Sequence, residues 1–411
     1  MTSIIPFIII KGEAIFIKSV IFHIDVNSAY LSWTAVRLLS EGSSLDIRTI
    51  PSIIGGDVSK RRGVVLAKSI PAKHFQIRTG EPVTDALKKC PTLKIFQPDH
   101  AYYQKCSTQM LHLLENYSPD IRPYSIDECF ITYIPFKNGG ETPLKAADQI
   151  RQDIRNSLGF TVNIGISTNC LLAKMASDFQ KPDRVHTLFP EEIPQKMWPL
   201  PVKDLFMVGR SSAHTLELLG IKTIGDLAHT DPAILTSHLK SHGQTIWEYA
   251  NGLEYTPIDA RRHISKGIGN STTLSSDITE SAAARKVLLS LCDSVSQRLR
   301  KSNQYAGMVS VEIKYHDFSS VSHQTTLLTP SQNAHILYQC ACKLFDELWN
   351  QQPIRLLGVR TSKLTDAGAL QMNLFDTSQN EKLEKLDQAL DRIRQKYGHD
   401  AIVRGSFLDK K

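Results

Sequence analysis

Val20-Ile-Phe-His-Ile-Asp25, continued by Val26-Asn-Ser-Ala-Tyr30, is the stretch from which the fold can be read. A short apolar run ending in a carboxylate has the pattern of a buried strand with an acid at its tip. Asn27 and Ser28 then offer an N-cap to a helix over Ala29 to Leu39, in which Tyr30, Ala35, Leu38 and Leu39 recur at helical spacing. Strand, acid, helix is the first unit. A second acidic site lies in Tyr124-Ser-Ile-Asp-Glu-Cys-Phe130. Neighbours on a regular strand point to opposite faces, so Asp127 and Glu128 converge only where the strand turns or bulges. Convergent carboxylates repel one another unless a cation sits between them. Oxygen ligands alone favour Mg²⁺ or Mn²⁺, and two such ions ~3.5 to 4 Å apart can activate an attacking hydroxyl while stabilising a leaving pyrophosphate. An adjacent Asp-Glu pair is usually surface charge; the apolar neighbours Ile126, Phe130 and Ile131 argue against that here.

Outward from these two sites, segment 42 to 98 is irregular, with Gly55-Gly56, Gly63 and the basic cluster Lys60-Arg61-Arg62, and reads as a small subdomain. Helices are expected over Tyr102 to Tyr117, Leu144 to Leu158 and Asn169 to Phe179. A strand is expected over Phe160 to Ile166, and a strand pair or strand tip over Ser125 to Ile134. Prolines 190, 194, 199 and 201 place a domain boundary, after which residues 202 to 255 read as short helices and 256 to 266 as a linker. The remainder alternates strand 267 to 274, helix 285 to 300, strands 309 to 315 and 321 to 328, helix 334 to 348 and strand 354 to 364. That β-α-β-β-α-β order is the order of a ferredoxin-like domain.

With 411 residues, 41% of them hydrophobic and 22% charged, the chain is a folded globular protein of two to four domains at roughly 100 to 200 residues each. The net charge of +7 is concentrated: residues 261 to 365 hold 13 Lys and Arg against 7 Asp and Glu. Such an excess is common on solvated surfaces and also suits a polyanionic partner. Seven cysteines, at 90, 106, 129, 170, 292, 340 and 342, include no Cys-x-x-Cys, which points to neither a disulfide framework nor a zinc knuckle but to a reducing cytosol. The apolar run 4 to 10 is interrupted by Lys11, Glu13 and Lys18 long before ~18 apolar residues accumulate, so it cannot span a membrane. It also lacks the basic start and small-residue cleavage site of a signal peptide.

Phe22-His-Ile-Asp-Val-Asn-Ser-Ala-Tyr30, Tyr124-Ser-Ile-Asp-Glu-Cys-Phe130, and Asn163-Ile-Gly-Ile-Ser-Thr-Asn-Cys-Leu-Leu-Ala-Lys-Met-Ala-Ser177 with Lys181-Pro-Asp183 together resemble the Y-family translesion DNA polymerases. The likeness runs from about Val20 to Leu364, and Asp-Val-Asn looks more like the SOS-mutagenesis branch than the other bacterial branch. The resemblance implies an α+β multidomain right hand, with a ferredoxin-like palm (19 to 29 and 99 to 189), small fingers (30 to 98) and a helix-hairpin-helix thumb (190 to 255). A ferredoxin-like little finger (267 to 365) would follow the linker, with an extension over 1 to 18 and a tail over 366 to 411.

It further implies error-prone addition of dNMP to a primer 3′-hydroxyl by a monomeric, cytoplasmic enzyme with no proofreading domain. Asp25, Asp127 and Glu128 would hold two Mg²⁺ (or Mn²⁺) ions with the carbonyl of Val26, and Tyr30 would be the steric gate against a 2′-hydroxyl. Lys174 would reach the triphosphate. In the fingers Ile70-Pro-Ala-Lys73 stands where many members carry Tyr-Glu-Ala-Arg, so Lys73 meets phosphate as an ammonium and Ile70 cannot donate. Val208, Gly209 and Arg210 fall in the hairpin that would hold primer-template DNA, with Met207 where a glycine is usual. Gln371, Leu374 and Phe375 resemble the peptide that docks on the bacterial sliding clamp, and Leu383, Leu386, Leu390 and Ile393 make an amphipathic helix expected to pack locally. A non-catalytic DNA-binding accessory or a nucleotide cyclase on the same palm would leave, respectively, the acids or the hairpin and clamp-like peptide without purpose.

Overall fold

The computed structural model describes residues 7–10, 13–16, 19–56, 63–135, 141–254, 266–366, 378–398 and 401–402. The chain divides into two compact units, one of residues 1–56 and 64–263 and the other of residues 57–63 and 264–411.

In the first unit a hairpin of β1 (Phe7–Ile10) and β2 (Glu13–Phe16) precedes β3 (Val20–Val26), the strand that carries the first acid. β3 is the centre of a five-stranded sheet in the order β10-β9-β3-β8-β7, made with β7 (Ile121–Pro123), β8 (Glu128–Tyr133), β9 (Val162–Ser167) and β10 (Val185–Thr187). Because side chains alternate, Phe22, Ile24 and Val26 enter a core shared with Tyr103 and Met110 of α4 (His100–Leu114) and Ile150 and Ile154 of α5 (Pro143–Leu158). The other face is covered by α6 (Cys170–Ser177), whose approach is so close that a Cβ on Gly165 of β9 would lie 2.0 Å from Ala173 O. Glycine at 165 is what lets the helix lie flat on the sheet.

α1 (Ala29–Ser40) begins at the expected residue, with Ser28 at the N-cap position. Ser28 takes a left-handed conformation (φ 48°) and its side chain caps nothing; Ser32 Oγ instead donates to Asn27 O at 2.6 Å. Trp33 packs in the sheet core while Leu31 and Ala35 pack on the next subdomain, so α1 serves both. That subdomain is a three-stranded sheet, β4 (Ser52–Gly55), β5 (Val65–Lys68) and β6 (Lys94–Phe96), with α2 (Ile70–His74) and α3 (Val83–Lys89). The segment from 190 on is helical: α7 (Ile193–Lys196), α8 (Arg210–Leu218), α9 (Ile224–His229), α10 (Pro232–Leu239) and α11 (Ser241–Ala250). Leu216, Leu227, Leu235 and Ile246 share one core with Leu171 and Leu172 of α6.

The second unit follows β-α-β-β-α-β: β11 (Gly267–Ile278), α12 (Ser281–Lys301), β12 (Gln304–Tyr315), β13 (Ser320–Ser331), α13 (Ala334–Leu348) and β14 (Ile354–Asp366). The antiparallel sheet has the spatial order β11-β14-β12-β13. Leu288, Leu291, Val295 and Leu299 of α12 close over Val309, Val311 and Ile313, and the opposite face, with Asn270, Ser310, His323 and Arg360, is polar and open. α14 (Ser378–Tyr397) packs locally, through ion pairs to α12. Asp387 and Asp391 accept from Arg300 at 3.2 and 2.6 Å, Asp387 also accepts from Asn333, and Leu386 is exposed.

None of the seven cysteines forms a disulfide. Burial, seconded by Glu128, pushes the Cys129 thiol up to about 12, and burial pushes Cys170 up to about 11. No helix among the described residues is long and apolar enough to cross a membrane.

Candidate active site

The alternation that sends Phe22 and Ile24 into one core turns His23 and Asp25 toward α6. On β8 it turns Cys129 and Ile131 one way and Glu128 and Phe130 the other. The β3–β8 register sets Asp25 directly opposite Glu128. Asp127 sits in the turn before β8, where regular alternation has not begun; its carbonyl accepts the Val26 N–H at 3.0 Å and its carboxylate accepts from Ser125 Oγ at 2.5 Å. The turn is thus what permits two adjacent acids to serve one region.

Each strand acid carries a lysine. Burial raises Asp25 to about 6 against the pull of Lys181, whose ammonium is bonded to Asp25 Oδ2 and lies 2.8 Å from Asp178 Oδ1. Burial would raise Glu128 too, but the His23 imidazole 3.5 Å away and the Lys174 ammonium at 2.6 Å bring it down to about 2. His23 is itself buried, which holds its pKa below the ordinary value, and its Nδ1 pairs with Ser177 Oγ at 2.7 Å.

A cavity of about 590 Å³ opens beside Asp25, Val26 and Asp127. Tyr30 forms part of its wall, and Lys68, Lys73 and Ile70 face it from β5 and α2. Burial and the neighbouring Lys73 lower the Lys68 ammonium, the mark of a crowded cationic wall. The Tyr30 ring stacks on Tyr103 (centroids 4.5 Å apart, planes at 12°), and the buried Tyr103 is anchored by its hydroxyl to Thr34 Oγ at 2.8 Å. Tyr103 therefore sets the tilt of Tyr30.

Lys174 is not in this cavity. It is 8% exposed, bonded to Glu128, with its ammonium 5.0 Å from the Tyr124 ring and 5.6 Å from the Phe206 ring. The cation that lines the cavity next to Asp25 is Lys181, in the loop after α6. The family resemblance points to the helical lysine for the phosphate role, whereas here the Lys174 ammonium is held on Glu128.

Among the described residues no three carboxylate, imidazole or thiolate groups stand together as a metal-holding set, and Lys174 is bonded to Glu128 and Lys181 to Asp25. The donor set is nonetheless all oxygen: Asp25, Val26, Asp127 and Glu128 lie at the same end of the sheet. A buried carboxylate already pushed up in pKa is one that a divalent cation relieves, so the residues fit a hard ion.

Further along, Gly209 is the N-cap of α8 and supplies no side-chain cap, so the first N–H groups of Arg210 and its successors are open to an anion. Val208 is buried beneath, and Met207 is left-handed (φ 73°) and 53% exposed. Gln371, Leu374 and Phe375 lie outside the described residues, as do Lys60, Arg61 and Arg62.

Comparison with known proteins agrees with this architecture. The impB/mucB/samB family matches residues 24–178, and the impB/mucB/samB family C-terminal domain matches 265–374. A DNA polymerase IV of Clostridium acetobutylicum is 48% identical over 394 residues, 96% of this chain and 99% of its own. A DNA polymerase IV of Alkaliphilus oremlandii is 34% identical over 95% of this chain and 99% of its own. Among solved structures, a Y-family DNA polymerase chimera superposes with a TM-score of 0.71 at 18% identity, covering 84% of this chain and 99% of that one. Both relatives are named DNA polymerase IV, and the leaning toward the SOS-mutagenesis branch read from Asp25-Val26-Asn27 has no support from them.

Proposed function

The chain belongs to the impB/mucB/samB family of Y-family polymerases and is a DNA-directed DNA polymerase, and on that premise we propose that it carries out error-prone translesion synthesis in DNA damage tolerance, including SOS mutagenesis. The observation that carries the reading is a cavity lined by Asp25 and Asp127 together with Lys68, Lys73, Lys181 and Tyr30, with Glu128 set opposite Asp25 on the neighbouring strand. Two Mg²⁺ ions, or Mn²⁺, held by those carboxylates and the Val26 carbonyl would activate the primer 3′-hydroxyl and neutralise the leaving pyrophosphate. Lys73 and Lys181, with Lys68 beside them, bind the triphosphate as point charges. The Tyr30 ring, held by Tyr103, excludes a 2′-hydroxyl. Lys174 keeps Glu128 ionised and in place.

Val208, Gly209 and Arg210 hold the duplex by its phosphates through the α8 N-terminus, without reading sequence. Gln371, Leu374 and Phe375 dock a monomeric, cytoplasmic enzyme on the sliding clamp, a role supported by sequence alone.

Primer extension by the full chain on undamaged and abasic templates tests this. Wild type extends both in Mg²⁺, and Asp127→Ala loses more than about 100-fold in rate, beyond the usual cost of losing an outer-shell partner because Asp127 is read as a direct ligand, while binding primer-template normally. Near-normal extension by the variant would overturn the assignment of the acids.

A further inference from the structure

Lys181 stands between two kinds of anion. Its ammonium is bonded to Asp25 and Asp178, yet the same side chain lines the cavity read above as the triphosphate site. It is one third exposed and springs from the loop after α6, so no packing locks it onto Asp25. Asp25 is in the opposite position. Its side chain is 12% exposed, and among the described residues Lys181 is the cation paired with it. A carboxylate so placed is costly to leave without a counter-charge. An ammonium on a flexible four-carbon stem can change partners by rotating about its own bonds, which a bidentate guanidinium resists.

We propose that Lys181 is a two-position cation: it neutralises Asp25 in the free enzyme and moves to the triphosphate when nucleotide enters, so that nucleotide entry itself opens Asp25 to metal. The inference rests on the reading of Asp25 as a metal-binding acid. A triphosphate among Lys68, Lys73 and Lys181 carries more charge than one carboxylate and draws the ammonium away. The bare carboxylate left behind needs a new cation, and a divalent ion supplies it. Metal and nucleotide then bind cooperatively, each favouring the other by the same factor. The free enzyme does not hold a metal ion idle on Asp25.

The test uses Mn²⁺ as its own spin probe, titrated by electron paramagnetic resonance into the full-length protein without DNA. Without nucleotide, Lys181→Met binds Mn²⁺ about tenfold more tightly than wild type, within the usual range of coupling between two ligands. The same variant binds a non-hydrolysable dNTP analogue about tenfold more weakly, so the two affinities move in opposite directions. Lys181→Arg, which keeps the charge on Asp25, retains the weak Mn²⁺ binding of wild type. A lysine that serves phosphate alone would weaken the nucleotide and leave Mn²⁺ binding unchanged, and a merely structural lysine would weaken both; either result overturns the switch. Adding Asp25→Asn to Lys181→Met should remove the tight Mn²⁺ site. If tight binding survives, the metal reading of Asp25 itself is wrong, and the switch falls with it.

Discussion

Asp25 occupies a place that opposes its own charge. Its pKa rises from 3.8 to about 6 on folding, chiefly through burial, so the folded chain binds that proton more tightly than the unfolded chain does. Above about pH 6 the carboxylate is ionised in both states and folding bears the full penalty, on the order of 2 to 3 kcal/mol; below the unfolded value the group is protonated in both and the penalty is gone. In a chelating buffer Asp25→Asn should therefore be more stable than wild type at pH 8, by on the order of 1 kcal/mol, with the advantage shrinking toward pH 4. Urea denaturation at the two pH values checks this, and a variant less stable at both would mean that the Lys181 ion pair outweighs burial. The residue scale is also where the sequence is most and least legible. Asp25 and Tyr30 are visible because a strand, an acid and a helix follow one another with nothing between. Lys174 and Lys181 are seven residues apart in one motif, and nothing local says which faces the cavity. The partners that separate them come from other elements: Lys174 is bonded to Glu128 of β8, and Lys181 to Asp25 of β3.

At the scale of elements, the turn before α8 holds a non-glycine residue in the left-handed region, Met207 at φ 73°. An L-residue there costs roughly 1 to 2 kcal/mol, while glycine costs roughly 0.5 to 1 kcal/mol more chain entropy. Met207→Gly should thus stabilise the segment by about 0.5 to 1 kcal/mol, read as a higher denaturation midpoint; a loss of stability would show that the half-exposed methionine makes interactions worth more than its strain. The β-α-β-β-α-β order is readable because Val309, Val311, Ile313 and Tyr315 alternate and Leu288, Leu291, Val295 and Leu299 recur at helical spacing. The spatial order, with β14 and β12 at the centre, depends on pairing between distant strands and has no local signature. α14 departs from its sequence pattern for a related reason. Its apolar stripe suggests a buried seam, but the face that docks is the one carrying Asp387 and Asp391, matched to Arg300 in α12.

At the scale of the whole molecule, catalysis and charge are divided between the units. The acids and the cavity belong to the first, whereas the second holds most of the net positive charge and an open polar sheet face. Each unit has its own core. A chain ending at residue 265 should still contain the acids but bind primer-template more weakly. The slope of log affinity against log salt should flatten by about 0.9 for each phosphate that the shortened chain no longer neutralises. An unchanged slope would exclude the second unit from DNA binding.

The cysteines bear on the conditions under which such an enzyme works. Alkylating agents and peroxides attack sulfur as the thiolate, and a thiol raised to about 12 presents almost none of it near neutral pH. Cys129 follows Glu128 in the chain and is fully buried in the core on the opposite side of the strand, so its sulfur is poorly reactive. Electrophiles and oxidants therefore find little thiolate to modify at the position next to Glu128.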